Sequence, residues 1–154
     1  SLRAQYPPRI QATEHAEIVR PLSAFDPSRD QLVLAFQALE NSVRYEMPRI
    51  FDQSKVIALN YGDRPEALRG FFRSRHVLRT ELLDSVRGAD RVWLLTELLP
   101  KFPIPVDDDV SPSLAALAGR GRQVGRWESG NLALTLVDLR GPPDAGFDSA
   151  GAVP

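Results

Sequence analysis

Apolar residues recur at helical spacing in two long stretches of this chain. The first stretch covers residues 25–47, where Asp26 can cap a helix and Pro27 suits its first turn. Glu40 and Arg44 are spaced as an ion pair on the exposed side of such a helix. The apolar positions share the opposite face and are Leu32, Phe36, Leu39 and Val43.

The second stretch covers residues 63–88 and predicts the longest helix of the chain. Asp63 precedes this helix as a cap, Pro65 lies in its first turn, and Gly88 follows its last turn. Its apolar stripe consists of Leu68, Phe71, Phe72, Leu78, Leu82 and Val86.

Three shorter apolar runs predict two strands and a third helix. The run SKVIALNYG, at residues 54–62, is partly β-branched and short, which indicates a buried strand closed by a turn. The run EIVRPL, at residues 17–22, predicts a short edge strand ended by Pro21. The run ADRVWLLTELLPKFP, at residues 89–103, suits either a helix capped by Asp90 or a strand, and we favour the helix.

The C-terminal part of the chain predicts a short helix and a β-hairpin. After a proline-rich connector, Ser111 can cap a helix that ends at Gly119. In residues 121–141, GRQVGRWESGNLALTLVDLRG, the turn residues ESGN separate two strand-like runs. We expect four side chains of the hairpin to face the core, namely Leu132, Leu134, Leu136 and Val124. The other face is also apolar enough to be covered, and its residues are Ala133, Thr135 and Val137.

These elements predict an α+β domain. About three helices pack on a small, mainly antiparallel sheet that ends in the C-terminal hairpin. The domain covers residues 17–140. We expect residues 1–16 to form an extended arm or linker because they contain a Pro-Pro pair and little periodicity. Residues 141–154 are small and rich in proline and glycine, which predicts a disordered tail.

Composition narrows the possible functions. The 154 residues are 43% hydrophobic, enough for a core, and a net charge of -1 creates no overall field for nucleic acid or an anionic membrane. The chain has no cysteine, so disulfides and thiolate chemistry are excluded. We expect no direct membrane contact, because no run of about 18 apolar residues occurs. The first residue is Ser1, which suggests a processed protein or a soluble fragment, either cytoplasmic or the periplasmic domain of a membrane-anchored protein.

Residues that could carry chemistry are few and isolated. His76 lies among arginines, which disfavours a bound cation, and His15 lies in the predicted arm. The acidic triplet at residues 107–109 lacks the spacing of a calcium loop. Ser129 lies in a turn, and Glu97 fits the outer face of a helix. We therefore predict no catalytic residue, no metal site and no cofactor.

Arginine dominates the cations, since lysine occurs at two positions, Lys55 and Lys101. Guanidinium groups bind carboxylates and phosphates in a bidentate manner, so an anion-binding patch is predicted at Arg69, Arg73 and Arg79. A protein-contact surface is predicted on the outward face of the hairpin, with Arg126 and Trp127. Further interaction candidates are Arg122, at the start of the hairpin, and Arg73 and Arg75 of the predicted long helix.

The segment WLLTELLP, followed later by RQVGRWESGNLALTLV, resembles the ferredoxin-like periplasmic domains of type II secretion and type IV pilus inner-membrane assembly proteins. The matching outline is a leucine-rich helix that ends near Pro100, a strand, a turn with Gly130, and a second strand of alternating leucines. It covers about 35 residues. This sequence departs from the outline because residues 101–121 intervene before the first strand of the hairpin. The resemblance implies a non-enzymatic scaffold that pairs with itself or with a sister subunit.

The main functional hypothesis is therefore a non-catalytic protein-protein interaction domain that helps to assemble a larger complex. We expect a homodimer, formed through an edge strand or an exposed apolar helix face. The alternative is an enzyme or small-molecule-binding domain with an arginine-lined pocket for an anionic ligand, in which Glu97 or His76 assists. A third hypothesis is a nucleic-acid accessory factor, but we expect no nucleic acid partner because the net charge is close to zero.

Overall fold

Six strands form one mixed sheet. The computed structural model describes residues 16–35, 39–52, 55–59, 74–99 and 111–140. The strands lie in the order β3-β2-β1-β4-β6-β5 across the sheet. Their bounds are β1 Asp30–Leu34, β2 Val56–Ala58, β3 Arg75–His76, β4 Arg91–Glu97, β5 Arg122–Ser129 and β6 Leu132–Asp138.

Short helices accompany the sheet, so the predicted α+β class is confirmed. Helix α1, described over residues 16–19, continues into a 3-10 turn at Arg20–Ala24. The other α-helices are α2 Glu40–Glu46, α3 Pro48–Asp52, α4 Leu82–Ser85 and α5 Ser111–Ala118. A second 3-10 turn, Arg79–Glu81, leads directly into α4.

The N-terminal half of the sheet is parallel. Strand β1 pairs with β2 on one side and with β4 on the other, and β2 pairs with β3. All five residues of β1 are buried, because a central strand of a parallel sheet is covered on both faces. The helix predicted over residues 25–47 is therefore wrong for its first half. The apolar residues of this buried strand, Leu32 to Leu34, followed by α2 starting at Glu40, imitate helical spacing.

Strand β4 joins the parallel half to an antiparallel half. It pairs with β6 in antiparallel register, and β6 pairs with β5 in the same way. The helix favoured for residues 89–103 is wrong where the structure describes them, and the strand alternative is right. The expectation of a mainly antiparallel sheet holds for β4, β6 and β5, whereas the other three pairings are parallel.

Two other predictions are corrected. The long helix predicted over residues 63–88 does not continue through the described residues from Ser74 onward, where β3 pairs with β2 and α4 is four residues long. Residues 60–73 lie outside the described part. The segment at 17–22 is helical and not an edge strand. Ile18 and Leu22 are four positions apart and both buried, which suits one helical face.

The predictions of β2, α5 and the hairpin are confirmed. A two-residue turn, Gly130 and Asn131, joins β5 to β6, and Gly130 has a φ of 60°, which glycine adopts without steric cost. Both faces of β6 are buried from Leu132 to Val137, as expected. The exception is Val124, which is 45% exposed because a bulge between Gln123 and Gly125 interrupts the register.

Candidate interaction site

Strand β5 is the last strand of the sheet and runs for eight residues. It pairs with β6 on its inner side. Among the residues that the structure describes, no strand pairs with its outer side. Its exposure alternates toward the turn, with Arg126 and Glu128 exposed and Trp127 and Ser129 partly covered. An edge of this kind can accept a further strand.

The hairpin turn determines which backbone groups of β5 point outward. Ser129 lies opposite Leu132 across a two-residue turn, so these residues form a hydrogen-bonded pair. Hydrogen-bonded and non-hydrogen-bonded pairs alternate along an antiparallel ladder. Trp127 therefore directs its backbone N–H and C=O toward β6. Arg126 and Glu128 direct theirs toward the outer edge.

A small polar cluster lies on one face of this edge. The Nε of Arg126 donates to Oε2 of Glu128 at 3.0 Å, and its Nη1 donates to Oγ1 of Thr135 at 2.9 Å. Both charged side chains are about half exposed, at 42% for Arg126 and 52% for Glu128. Arg126 and Glu128 form an exposed ion pair, which contributes little to stability and remains open to other partners.

Trp127 lies on the opposite face. Its indole stacks on that of Trp93 in β4, with ring centroids 5.9 Å apart and planes inclined by 19°. A Cβ at Gly125 would lie 2.5 Å from the Trp127 ring, so a glycine is needed there for the ring to occupy this position. The expectation that Arg126 and Trp127 share one outward face is therefore wrong. Neighbouring residues of a strand point to opposite faces, and these two share the outer edge only.

Trp93 is fixed by a buried carboxylate at the start of β1. Trp93 Nε1 donates to Oδ2 of Asp30 at 3.0 Å. Arg91 binds both oxygens of Asp30, at 2.8 Å through Nε and 2.6 Å through Nη2. This hydrogen bond to Asp30 raises the pKa of Arg91. Asp30 is fully buried and is held by Arg91. Because Trp93 donates to the same carboxylate, Asp30 also orients the Trp93 ring on which Trp127 stacks.

The bulge ends the regular part of the outer edge. Arg122, before the bulge, is exposed and lies opposite Asp138 of β6. The pKa of Asp138 is held well below its usual range, first by the side-chain hydrogen bond from Arg140 and to a smaller extent by the charge of Arg122. Bulges deflect an edge strand, so the segment available for pairing is the one between Gly125 and the turn.

The remaining predicted contact and anion-binding residues do not join this edge. Arg75 is exposed on β3, which is the opposite edge of the sheet. At ordinary strand spacing the two edges are about 24 Å apart. Arg79 lies in the 3-10 turn that follows β3. Arg69 and Arg73 lie outside the described residues. Of the predicted contact residues, Arg122, Arg126 and Trp127 lie together on β5, whereas Arg75 lies at the opposite edge.

The other chemical candidates are dispersed. His76 lies in β3 and Glu97 at the end of β4, both partly buried, so neither occupies the helix surface that the sequence predicts. Ser129 Oγ donates to Glu17 at 3.2 Å. Over the described ranges, no group of three histidine, cysteine or acidic side chains could hold a metal ion. His15 and the acidic triplet at 107–109 lie outside those ranges.

The described surface contains shallow cavities, of which two are lined in part by arginine. One, of about 150 Å³, is lined mainly by apolar residues together with Arg87 and Arg120. The other, of about 100 Å³, lies beside Met47 and Ile50. Both are smaller than the roughly 300 Å³ of a typical ligand cleft. Arginine lines both cavities, Arg87 and Arg120 in the first and Arg49 in the second, but none of these was predicted to bind an anion.

Sequence reasoning did not identify three polar groups that the structure shows. The Asp30, Arg91 and Trp93 cluster joins residues 61 to 63 positions apart. The Asn131 side chain binds the backbone of Leu99, just after β4. It accepts a hydrogen bond from Leu99 N at 2.8 Å and donates one to Leu99 O at 2.6 Å. Glu40, predicted on an exposed helix face, is fully buried. It accepts hydrogen bonds from Ser74 N and Oγ at 2.8 and 2.5 Å while keeping its pair with Arg44.

The comparisons with known proteins do not assign a family. No family model and no curated protein matches the chain. A crystal structure from Pseudomonas syringae, labelled a methyltransferase, matches 83% of this chain and 97% of its own, with 9% sequence identity and a TM-score of 0.40. A likeness at this level carries no functional argument. In the part of the chain that the structure describes, the helices are too short or too polar to cross a membrane.

Proposed function

We propose that this chain is a non-catalytic protein-protein interaction domain that assembles by strand addition at the outer edge of β5. The observation that carries the proposal is the position of β5: an eight-residue strand at the end of the sheet, with outward backbone groups at Arg126 and Glu128. The sequence resemblance implies that the larger complex is a cell-envelope secretion or pilus machine. Its leucine-rich helix, however, begins in residues that form strand β4 here, so the proposal rests on β5 and not on that resemblance.

The face of β5 that carries Trp127 is held in place by contacts with the core. Trp127 stacks on Trp93, which is in turn bound by the buried Asp30 carboxylate. An edge that is already ordered loses little conformational entropy when a second strand pairs with it. This preorganisation favours pairing of a second strand with β5 through backbone hydrogen bonds, even though few side chains of β5 can contact that strand.

The proposal predicts weak association. The bulge at Gln123 and Gly125 leaves about five residues for a regular ladder. Five residues on each side bury less surface than the roughly 1,200 Å² of a stable complex. We therefore expect a reversible dimer in the isolated chain, with a dissociation constant in the micromolar range or weaker.

The test is sedimentation velocity of the chain and of Glu128→Pro, from low micromolar to submillimolar concentration. Proline removes the outward N–H of Glu128 without removing a bond to β6, so the fold persists while pairing is blocked. Glu128→Ala keeps that N–H and is the matched control. We expect wild type to dimerise, Glu128→Ala to dimerise more weakly because it loses only the side-chain charge, and Glu128→Pro to remain monomeric. A wild-type monomer throughout would reject the proposal.

A second candidate function is small-molecule binding at the carboxyl ends of β1 and β4. Strand order reverses between these two parallel strands, and ligands of open α/β sheets bind at such a switch point. The residues directly after β1, AFQALE, contain no glycine, unlike the phosphate-binding turns of such folds. Thermal unfolding in the presence of inorganic phosphate and adenine nucleotides tests this function, which requires a concentration-dependent rise in Tm.

A further inference from the structure

The residues of β5 also specify a partner for this edge. We infer that the added strand is β5 of a second copy, antiparallel to the first, with a two-fold axis through Trp127. The inference rests on the proposed function and identifies its partner. It follows from the backbone directions, the charges and the aromatic stack of the strand.

Backbone geometry allows few registers. A ladder forms when outward-pointing residues of one strand lie opposite outward-pointing residues of the other. In β5 these residues are Arg126 and Glu128. Short symmetric pairings that use them have their axis at Arg126, at Trp127 or at Glu128.

Charge distinguishes these three registers. An axis at Arg126 places that arginine opposite its own copy, and an axis at Glu128 does the same for the glutamate. Like charges directly opposite each other destabilise a sheet, whereas opposite charges stabilise it. An axis at Trp127 places Arg126 opposite the partner's Glu128, twice in the dimer. Both side chains lie on the same face, where they already approach within 3.0 Å in one chain.

The aromatic face favours the same register. Trp127 would lie opposite the partner's Trp127 in a non-hydrogen-bonded pair, where the Cα atoms are about 4.5 Å apart and the side chains closest. Each ring already stacks on Trp93 of its own chain. The dimer thus contains a row of four indoles on one face and alternating charges on the other. Cross-strand aromatic pairs are among the more stabilising ones.

Charge reversal tests the inferred contacts by sedimentation. Arg126→Glu and Glu128→Arg each place like charges opposite one another, and each should raise the dimer dissociation constant about tenfold. The double variant restores both attractions and should dimerise like wild type. Thermal unfolding of each variant verifies that the monomer remains folded. Single reversals without effect would overturn the inference.

Cysteine cross-linking separates the register from edge pairing itself. The chain has no cysteine, so Arg126→Cys and Glu128→Cys introduce single thiols. In a hydrogen-bonded antiparallel pair the Cα atoms are about 5.5 Å apart, within disulfide range. We expect oxidation to link a mixture of the two variants, whereas each variant alone stays unlinked.

The outcomes distinguish the two proposals. Linkage within Arg126→Cys alone, or within Glu128→Cys alone, overturns the register but leaves edge pairing in place. A wild-type dimer with no linkage in any sample overturns both, because the dimer then uses another surface. A wild-type chain that sediments as a monomer at every concentration also overturns both.

Discussion

Trp93 and Trp127 stack on one face of the sheet although they lie on strands separated by β6, with their ring centroids 5.9 Å apart. Trp93 is 1% exposed, whereas Trp127 is partly exposed, so the pair leads from the core to the outer edge. Asp30 of β1 accepts a hydrogen bond from Trp93, and Trp93 stacks on Trp127 of β5. These contacts connect β1 with the edge strand. Stability and edge geometry should therefore depend on the same residues.

Replacing Trp127 should weaken the core as well as the edge. We expect Trp127→Ala to lower the free energy of unfolding by about 1 to 3 kcal/mol, because it removes the stack and part of the buried apolar area. The fluorescence of Trp93 should shift to longer wavelength as water reaches its ring. Denaturant unfolding measures the loss. Val124→Ala, on the same strand but exposed, should change stability by less than about 0.5 kcal/mol. Equal effects of the two substitutions would contradict the role assigned to the stack.

The Asp30–Arg91 pair gives a second prediction. Arg91→Met leaves the buried Asp30 carboxylate without its cation, so we expect a loss of about 3 kcal/mol or more. The double variant with Asp30→Asn should lose less, because it removes the buried charge. Arg87→Met is the control, since Arg87 pairs with Asp84 where both side chains are 76% exposed. A double variant less stable than Arg91→Met would show that the pair does not act through buried charge.

The hairpin turn gives a third prediction. Gly130 has a φ of 60°, so Gly130→Ala should lower the free energy of unfolding by about 1 to 2 kcal/mol. Gly130→Asn should cost less, because asparagine adopts positive φ more readily. Thermal and denaturant unfolding compare the two variants. If alanine and asparagine destabilise equally, the cost comes from loss of glycine in general and not from the positive φ.

Acid should destabilise the end of the hairpin. The pKa of Asp138 is lowered in the folded chain, chiefly by the side-chain hydrogen bond from Arg140. A depressed carboxylate pKa contributes stability that is fully present above the unfolded value of about 4 and is lost as the pH falls below it. We therefore expect the free energy of unfolding to decline below about pH 4, with a shallower decline in Asp138→Asn. Unfolding titrations at successive pH values measure both slopes, and identical slopes would exclude this contribution.

Local patterns predicted the hairpin and α5, whose hydrogen bonds are local, and also β2, whose short β-branched run indicates a strand although its partners are distant in sequence. The hairpin has its own turn residues, and α5 lies between Ser111 and Gly119, so both could be found from neighbouring residues. Strands β1 and β4 could not be identified in this way. They lie next to each other at the centre of the sheet, and the central residues of each are apolar and buried on both faces, so neither shows the alternation of a half-buried strand.

The candidate site was predicted in part for a similar reason. Arg126 and Trp127 were found because the hairpin was found. The bulge that removes Val124 from the core depends on an irregular register that the sequence pattern does not reveal. Asp30 and Arg91 are 61 residues apart, and their pairing depends on which strands become neighbours. Strand order is decided by the whole core and leaves no signal near either residue.

The order of strands in the sheet also has a consequence during synthesis of the chain. Strands β1 and β4 emerge from the ribosome before β6, which later covers the second side of β4. Until then, β4 exposes an open edge with the run VWLL, a combination that promotes aggregation. The C-terminal hairpin forms from neighbouring residues and can fold quickly once made. Once it has folded, β6 pairs with the open edge of β4, which shortens the period in which the nascent chain can aggregate.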